Sequence, residues 1–542
     1  MQSVACSLLR RSLLLACSLV MFGRLAATAV GATTVAPVPR NATQAKREQA
    51  IAASPVCGPR IRKSWDMLSL QEQELYLRAL ARSMDDGYYI KFVEIHTEQM
   101  TTMEAHRTCM FIYWHRLFLL GFENMLRSYG GEFSCLTVPY WNYVDHNALF
   151  MEGRCRSMLD CSPILRALGG SSFGREASVT INGTPIQGTC VPVPPLNHFC
   201  QASNLLPNQC SRCVPRGDWA TAVFPATTSV GSLMRQLFSN PTIASVATNI
   251  EQGVHNTIHN ALDGAMAFLE APADPIFFSH HATLDLLHSI YFNCVVGNQV
   301  PVPVEQELAD PRVFMTCPRR ESLRVGAMDD NVLMPQSFVS LRSGGVVARP
   351  ESVFSPMNEL APFFAGLPTE YLGLSDLRDL GAFSYNYEMT GLLASMYSTC
   401  GGAAMLNNLR TGGQPFRRLE GTNESGHAAK DGWVEAVVVP SNHSTMWFDE
   451  ALAAAVNASS ASDSAQSLVE AFEDIEKMTC VFYDECRGGV LGLSDQFRQN
   501  FGLSGNTPCR TIVDGIADGR DHIRTPKWRD IFLRHFDCGS EV

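Results

Sequence analysis

Two clusters of histidines constrain the fold of this 542-residue chain more than any other feature of its sequence. His255 and His259 are four residues apart in EQGVHNTIHNALDG, so a helix would place both imidazoles on one face, where they can share a metal ion. In the following motif, ADPIFFSHHATLD, an Asp-Pro pair predicts the start of a helix with His280 and His281 in its first turns. The fold must therefore bring two helices together around a metal site.

A second cluster lies upstream, where His96, His106 and His115 occur in IHTEQMTTMEAHRTCMFIYWHRLF. Nine residues separate His106 from His115, and at about 100° per residue a straight helix would place them on opposite faces. The chain must therefore break between them. Two helices and an intervening loop can then bring the three imidazoles together.

The ligand types favour copper as the metal. Neutral imidazoles without carboxylates at the matching positions disfavour calcium and magnesium. Zinc competes on ligand type alone, but two adjacent sites of three histidines with open positions suit the binding of dioxygen between redox-active metals. The zinc-protease signature is not met, because Asn256 stands where that signature has its general-base glutamate. A lone histidine is more often structural, whereas two clustered triplets predict a pair of copper ions.

The N-terminal segment predicts secretion. Arg10 and Arg11 precede an apolar run at 13–22, and small residues follow, so residues 1–32 are typical of a cleavable signal peptide. Residues 33–56 are polar and are expected to form a flexible leader. The net charge of −11 argues against nucleic acid or an anionic membrane as partner, and no later apolar run is long enough for a membrane span. Five sequons are compatible with glycosylation on this route: Asn41, Asn182, Asn423, Asn442 and Asn457.

The cysteines also fit an oxidising compartment. Of the 18 cysteines, Cys6 and Cys17 leave with the predicted signal, and the remaining even number suits disulfides. The Cys-rich stretch 151–230 is expected to form long disulfide-pinned loops. Eleven mature cysteines precede residue 390 and five follow it, so complete pairing requires at least one disulfide between the two parts. A free thiol in each part is the alternative.

The histidine motifs resemble those of the type-3 copper family, which comprises tyrosinases, catechol oxidases and hemocyanins. The motifs that carry the resemblance are HTEQMTTMEAHRTCMFIYWHRLFLLGFENMLR and HNTIH followed by DPIFFSHHATLD, and the spacing of the first resembles secreted tyrosinases of molluscs and oomycetes. The resemblance implies a mainly α fold, in which a four-helix bundle at 57–390 holds a dicopper centre among long disulfide-pinned loops. It also implies a smaller C-terminal domain at 391–542, expected to be α+β, which in several relatives covers the copper site until proteolysis removes it.

The family pattern assigns three histidines to each copper ion: His96, His106 and His115 to copper A, and His255, His259 and His281 to copper B. His280 then stands beside the B ligands, where it would orient the substrate ring or a ligand. His288 is not used by the family and is expected to be a buried packing residue. Glu104 occupies the position at which some members have the cysteine of a thioether, and Cys109 is expected to form a disulfide instead.

The resemblance also implies residues on the substrate side. Glu251 and Asn256 match a pair that helps to hold a water for phenol deprotonation, so together they could act as a general base; a polar pair on a helix surface is the alternative. Phe277 is expected to pack near the substrate ring and Thr283 to border the entrance, although both could equally be core or rim residues.

Further positions resemble structural features of the family. Asp285 could orient a ligand imidazole or pair with Arg116. Tyr385-Asn386-Tyr387 resembles the Tyr-x-Tyr motif that closes the catalytic domain in many members, and Arg60 or Arg62 resembles its usual N-terminal partner.

The expected function is that of a secreted dicopper phenol oxidase, which hydroxylates monophenols and oxidises o-diphenols to o-quinones with dioxygen as co-substrate. Its partners would be small phenols or tyrosyl side chains, and melanin-type pigment, cross-linking and defence stay open as fates of the quinone. A catechol oxidase without the hydroxylation step, a hemocyanin-like oxygen carrier and a copper-less structural descendant are the alternatives.

Overall fold

The computed structural model describes residues 57–297, 303–314, 336–338, 350–398 and 442–538, all within one compact unit of the chain that starts at Ala50. The predicted signal peptide and leader lie outside these residues, as do the sequons at Asn41 and Asn423. The predicted division into domains near residue 390 stays a prediction.

The described residues are mainly helical, as the sequence predicts. The α-helices are α1 Leu70–Asp85, α2 Tyr88–Thr97, α3 Gln99–Ala105, α4 Phe111–Arg127, α5 Tyr143–Met151, α6 Met158–Cys161, α7 Pro163–Ala167, α8 Val230–Phe238, α9 Ile243–Ile250, α10 Asn256–Leu262, α11 Ile276–Tyr291, α12 Val304–Ala309, α13 Ala361–Phe364, α14 Gly391–Ser398, α15 Asn442–Ala458, α16 Ser464–Cys486, α17 Asp495–Phe501, α18 Pro508–Ala517 and α19 Trp528–His535. The strands are β1 Ile61–Arg62, β2 Arg175–Ile181, β3 Thr184–Val191, β4 Val214–Arg216, β5 Gln336–Phe338, β6 Pro350–Ser352 and β7 Asn386–Tyr387.

Helix α1 begins with a capping box, which Ser69 followed by Glu72 indicates in the sequence. The backbone N–H of Glu72 donates to Ser69 Oγ at 3.2 Å, and the backbone N–H of Ser69 donates to Glu72 Oε2 at 2.7 Å. Two N–H groups that the first helical turn leaves unpaired are thus satisfied by side chains.

A bundle of four helices, α2, α4, α10 and α11, carries the histidine motifs. Helices α4 and α11 are buried on almost every side, as expected for sequences that are apolar around the whole helix. They meet through aromatic side chains, with Phe122 and Phe278 stacked at a centroid distance of 3.4 Å. The predicted bundle is confirmed, and its central pair of helices forms a rigid base for the site.

The predicted break between His106 and His115 is present. Helix α3 ends at Ala105 and α4 begins at Phe111, and Arg107 between them has a φ of 57°. A left-handed residue directs the chain out of one helix and into the next, so both histidines can face the same interior space.

The Cys-rich stretch is pinned as predicted but is less irregular than expected. Disulfides join Cys155 to Cys161, Cys190 to Cys213 and Cys200 to Cys210. Strands β2, β3 and β4 form an antiparallel sheet in that order, whereas the sequence analysis predicts only long loops. The missed signal is Asn182-Gly183, both with positive φ, which is the preferred pair for a two-residue hairpin turn.

The Tyr-x-Tyr segment closes against the start of the described chain. Strands β1 and β7 pair in parallel, with Ile61 opposite Asn386 and Arg62 opposite Tyr387. Arg62 Nη1 donates to the Tyr387 hydroxyl at 3.0 Å, which confirms Arg62 as a partner of this motif.

Residues 442–538 contain five helices and no strand, so this described part of the tail is helical rather than α+β as predicted. Its long helix α16 packs on α8 and is hydrophobic on the buried face, which favours helix-on-helix packing over a sheet. Across this contact Glu476 pairs with Arg235 at 2.5 Å and accepts from Ser232 Oγ at 2.6 Å.

The described cysteines of the tail pair with each other, Cys480 with Cys509 and Cys486 with Cys538. The predicted disulfide between core and tail would involve Cys400, which lies outside the described residues. Among the described helices, none has the length and apolar character needed to cross a membrane.

Candidate metal centre

The first histidine triplet forms one compact group, which we call group A: His96, His106 and His115. His96 comes from α2, His106 follows α3, and His115 lies in the first turns of α4. One ring nitrogen from each lies within 4.8 Å of the others, and all three side chains are buried. The predicted convergence of two helices and a loop is therefore observed.

The second set forms group B: His255, His259, His280 and His281. The chain enters it through a π-helical turn at Glu251–His255, with a kink at Gly253, and such turns are frequent at functional sites. The turn and α10 place the rings of His255 and His259 at 4.4 Å. One ring nitrogen from each of the four residues lies within 4.8 Å of the others.

The two groups face each other. The rings of His115 and His281 stack at 4.2 Å with an interplanar angle of 15°, and those of His106 and His255 lie 6.2 Å apart. This arrangement would hold two metal ions next to each other rather than at separate places in the bundle.

Five of these imidazoles are oriented by a hydrogen bond at Nδ1. The partners are backbone carbonyl oxygens for four of them and an amide side chain for the fifth: Leu269 for His96 at 2.6 Å, Thr102 for His106 at 3.1 Å, Phe111 for His115 at 2.8 Å, Met266 for His259 at 2.7 Å, and Asn256 Oδ1 for His255 at 2.9 Å. A carbonyl oxygen accepts only from a protonated Nδ1. Nε2 of each neutral ring therefore carries a free lone pair.

Burial keeps these rings neutral. It lowers the pKa of His106 to about 4 and that of His259 to about 3, and it lowers the pKa of His96, His115 and His255 well below the ordinary value. Neutral imidazole is the form that binds metal ions.

The donor set fits copper. The Nε2 atoms of all seven histidines are buried and have no hydrogen-bond partner among the described residues. Neither group contains a carboxylate or thiolate, and an all-imidazole set suits copper or zinc rather than calcium or magnesium. A buried polar atom without a partner is unfavourable, and a metal ion would supply the missing partner here.

Comparison with known proteins agrees with this centre. Residues 86–293 match the profile of the common central domain of tyrosinase, a segment that contains all seven histidines. The chain carries a domain of the tyrosinase family.

Relatives of this tyrosinase domain align over less than half of the chain. A tyrosinase-like protein of Diaporthe leptostromiformis is 27% identical over 252 residues, which are 42% of this chain and 60% of that protein. A tyrosinase-like protein of Pinctada maxima is 29% identical over 238 residues, 42% of this chain and 48% of its own length. A mutant polyphenol oxidase of Thermothelomyces thermophila covers 63% of this chain and 93% of its own, at 18% identity and a TM-score of 0.34, too low to support an inference.

His280 belongs to group B of the tyrosinase domain, but neither of its ring nitrogens makes a hydrogen bond to a described residue. The predicted orienting bond to a ligand is therefore not observed. His280 stacks beside His255 at 5.7 Å, whereas His281 also contacts His115 of group A. The position of His281 between the groups is consistent with its assignment as the third B ligand.

Glu251 and Asn256 are both buried, so the alternative of a polar pair on a helix surface is wrong. Asn256 orients His255, as described above. Glu251 Oε1 accepts from the backbone N–H of Arg107 at 2.8 Å, and burial raises the pKa of Glu251 to about 8. Both side chains thus lie at the edge of the two histidine groups. Glu251 binds the residue that follows His106 of group A, and Asn256 binds His255 of group B.

Phe277 packs among the imidazoles, 4.1 Å from His281 and 5.1 Å from His96 between ring centroids. Thr283 does not border an entrance. It is fully buried, and its hydroxyl donates to the backbone carbonyl of Trp141 at 2.8 Å, because a position two residues after His281, about 200° around α11, directs it away from the centre. The predicted entrance role is wrong, and the core alternative holds.

Asp285 makes no hydrogen bond to a histidine among the described residues, so its predicted role in orienting a ligand is also wrong. Its carboxylate pairs instead with Arg116 Nε at 2.7 Å and Arg62 Nη1 at 3.2 Å. Arg116 Nη2 also donates to His288 Nδ1 at 2.9 Å, so His288 is a buried packing residue, as predicted. Cys109 is disulfide-bonded, as expected.

Two further residues lie at the centre without a signal in the sequence, Phe501 and Arg107. The ring of Phe501, from α17 of the tail, lies 5.9 Å from the ring of His106 and 6.2 Å from that of His259. Its distance along the chain from both histidines left no spacing signal. Arg107 directly follows His106, and a non-glycine residue with positive φ leaves no sequence pattern.

Proposed function

We propose that this chain is a dicopper phenol oxidase that hydroxylates monophenols and oxidises o-diphenols to o-quinones with dioxygen. The observation that carries the proposal is the pair of facing imidazole groups, whose neutral rings have buried Nε2 atoms without a hydrogen-bond partner in the described part of the chain. His96, His106 and His115 would hold one copper ion and His255, His259 and His281 the other, and copper would supply redox chemistry with dioxygen at this place. Substrates would be small phenols or tyrosyl side chains.

The protein supplies rigidity and a dry environment. The Nδ1 hydrogen bonds fix five imidazole rings, so little reorganisation is needed when a substrate binds. Phe111, Phe118 and Phe277 pack against the histidines and exclude water from the interior side of the centre. Exclusion of water protects reactive intermediates from side reactions.

Glu251 is proposed to take the proton of the phenol, with Asn256 beside it. A carboxyl whose pKa is raised to about 8 is a much better base than an exposed glutamate, and a base works best when its pKa is near the working pH. Asn256 would keep His255 oriented during that transfer.

Residues 491–507 of the tail, which we call the cover, are proposed to shield the centre. Leu493, Phe497 and Phe501 pack against Ala267 as a small buried cluster. Asn500 Nδ2 donates to the Ala267 carbonyl at 2.8 Å, immediately after the residue that orients His259. The cover therefore rests on the segment that positions a ligand.

The cover is also held at its N-terminal end. Asn260, directly after His259, donates from Nδ2 to the Gly492 carbonyl at 3.1 Å and accepts at Oδ1 from the Ser494 N–H at 2.8 Å. A few hydrogen bonds and one apolar cluster hold the cover, so a modest free energy would displace it.

An oxygen carrier is the second candidate, favoured by the Phe501 ring over groups A and B. A carrier needs a centre that dioxygen reaches and phenols do not. The cover would be permanent in a carrier and removable in an oxidase.

Oxygen uptake and o-quinone absorbance test the proposal, with copper-loaded wild type, Phe501→Ala and the control Phe173→Ala, which removes an exposed ring just before strand β2. We expect Phe501→Ala to oxidise catechol at least about tenfold faster than wild type, equivalent to about 1.4 kcal/mol of cover closure. Phe173→Ala should match wild type.

Hydroxylation of tyramine without added diphenol would establish the monophenol step, and its absence would leave a catechol oxidase. Reversible oxygen binding without turnover in Phe501→Ala would establish the carrier.

Secretion is also proposed. Every cysteine that the structure describes is disulfide-bonded, which suits an oxidising compartment. Among the sequons, Asn457 is exposed on α15, whereas the Asn182 amide donates to Thr97 Oγ1 at 2.7 Å. Asn457 is therefore the better candidate for a glycan.

A further inference from the structure

A short stretch between α10 and α11, residues 266–269, orients one histidine of each group, and we call it the carbonyl segment. The Met266 carbonyl accepts from His259 Nδ1 of group B at 2.7 Å. The Leu269 carbonyl accepts from His96 Nδ1 of group A at 2.6 Å. Because two carbonyls of one short stretch hold histidines of different groups, a movement of the carbonyl segment would disturb both groups together.

The carbonyl segment is anchored to the core on both sides. Before it, Gly264 lies against the chain at Arg216, since a methyl group placed on the Gly264 Cα would be 2.6 Å from the Arg216 Cα. After it, Asp274 accepts two hydrogen bonds from the Arg216 guanidinium, at 2.6 and 2.8 Å. Between these anchors the backbone N–H of Phe268 donates to the Ala265 carbonyl at 3.2 Å. Such a turn sets the local shape of the segment, and its outer contacts then fix its position.

The outer contacts of the carbonyl segment come from the cover. Ala267 is completely buried in the apolar cluster of the cover described above, and Phe268 and Leu269 pack against that cluster. Asn500 Nδ2 donates at 2.8 Å to the Ala267 carbonyl, which comes between the two carbonyls that hold histidines. Gln496 Nε2, one turn earlier on α17, donates to Asn500 Oδ1 at 2.8 Å. The Asn500 amide is therefore held with its donor toward the carbonyl segment.

We infer that Asn500 is a positioning residue: through its amide the cover fixes the carbonyl segment, and thereby the orientation of His96 and His259. The inference rests on the proposed function, since it takes these histidines as ligands of two metal ions. Groups that orient ligand imidazoles raise the affinity for the metal. The cover then has two opposite effects on catalysis. Its displacement admits a phenol, and it also loosens one ligand of each metal ion.

The affinity for zinc ions tests the inference, because zinc binds to imidazoles without redox chemistry and its binding does not depend on oxidase activity. Asn500→Asp keeps the size of the side chain and removes the donor to Ala267. Gln499→Glu adds the same charge at the exposed neighbouring position. In metal-free full-length protein, competition with a chelator should show both zinc ions bound about tenfold more weakly in Asn500→Asp than in Gln499→Glu. Equal affinities in the two variants, or a loss for one ion alone, would overturn the inference.

Hydrogen exchange at the imidazoles provides a control within the same protein. His115 Nδ1 donates to the Phe111 carbonyl of its own helix, so it does not depend on the carbonyl segment. In zinc-loaded protein with ¹⁵N-labelled histidine, NMR should show Nδ1 protons of His96 and His259 exchanging at least about threefold faster in Asn500→Asp than in Gln499→Glu. The His115 proton should exchange equally in both variants.

The outcomes separate this inference from the proposed function. Equal acceleration at His96, His259 and His115 would show a general loosening of the fold and would overturn the positioning role of Asn500. Failure of the copper-loaded wild type and of Phe501→Ala to oxidise catechol would contradict the proposed function alone. Zinc affinity and imidazole exchange would still decide whether Asn500 positions the histidines.

Discussion

Two buried polar clusters lie one helical turn apart on α11, and they differ in how their polar atoms are satisfied. The carboxylate of Asp285 has four partners, two arginines and the hydroxyls of Tyr385 and Tyr387 at 2.5 and 2.6 Å. His281, four residues earlier, has no partner at either ring nitrogen among the described residues. Because an unpaired buried polar atom lowers stability, the difference separates a cluster that holds the fold together from one that is kept open for a ligand.

The same contrast appears in two buried carboxyl groups. Burial raises the pKa of both, but for Asp285 the charges of Arg116 and Arg62 outweigh burial and lower its pKa below the ordinary value. Glu251 receives one backbone hydrogen bond, and burial prevails, so its pKa rises to about 8. One carboxylate is therefore permanently charged at neutral pH, whereas the other can exchange a proton there.

The largest effect is expected from Asp285→Ala. The change leaves Arg62 and Arg116 buried with one fewer counter-charge, and breaking a buried ion pair on one side costs about 3–5 kcal/mol. Urea unfolding of the copper-free protein measures the loss. Asp518→Ala breaks the exposed pair with Arg520 and should leave the urea midpoint almost unchanged. Equal losses in the two variants would contradict the distinction between the clusters.

His281→Gln should reduce copper binding and activity, with little effect on stability. No hydrogen bond is lost and the volume is similar, so the copper-free variant should unfold within about 1.5 kcal/mol of wild type. Copper content after dialysis should fall toward one ion per chain, and catechol oxidation should decrease at least about 100-fold. Metal analysis and oxygen uptake measure these changes. Retention of both copper ions would contradict the role of His281 as a ligand, and His280→Gln would then be the matched test.

A pH dependence of stability is expected from Glu251. The pKa of Glu251 is about 8 in the folded protein and 4.5 ordinarily. Between pH 4.5 and pH 8 the folded protein therefore keeps the carboxyl proton that the unfolded chain releases. Its contribution to stability is therefore complete below pH 4.5 and is lost as the pH rises through 8. Urea midpoints of the copper-free protein from about pH 5 to about pH 9 should fall less steeply in Glu251→Gln. Parallel pH profiles would show that Glu251 is ionised like an exposed carboxyl.

Local patterns in the sequence predicted the parts of the fold that local physics determines. The capping box at Ser69, the break before His115 and the sharing of one face by His255 and His259 all depend on residues within a few turns of each other. The hairpin at Asn182 also depends on neighbouring residues, but the many cysteines around it favoured a prediction of loops.

Long-range contacts could not be predicted in this way. Thr283 and Asp285 follow the proposed ligand His281 closely in sequence, but successive helical positions point in different directions, and only the packing of α11 decides which of them faces the centre. The position of Phe501 depends on how α16 packs on α8, through contacts such as Glu476 with Arg235, that no spacing records.

The disulfide between Cys480 and Cys509 encloses the whole cover, because one cysteine lies in α16 before it and the other in α18 after it. A protease that cuts once within 491–507 would therefore nick the chain without releasing either arm, and Phe501 would stay attached to α16 or to α18, depending on which side of Phe501 the cut falls. A tethered ring returns to its place at an effective concentration in the millimolar range, set by the length of its arm. After cleavage the tethered Phe501 ring would still compete with a phenol for the same place. Turnover would then require a phenol that binds tightly enough to displace a ring present at this effective concentration.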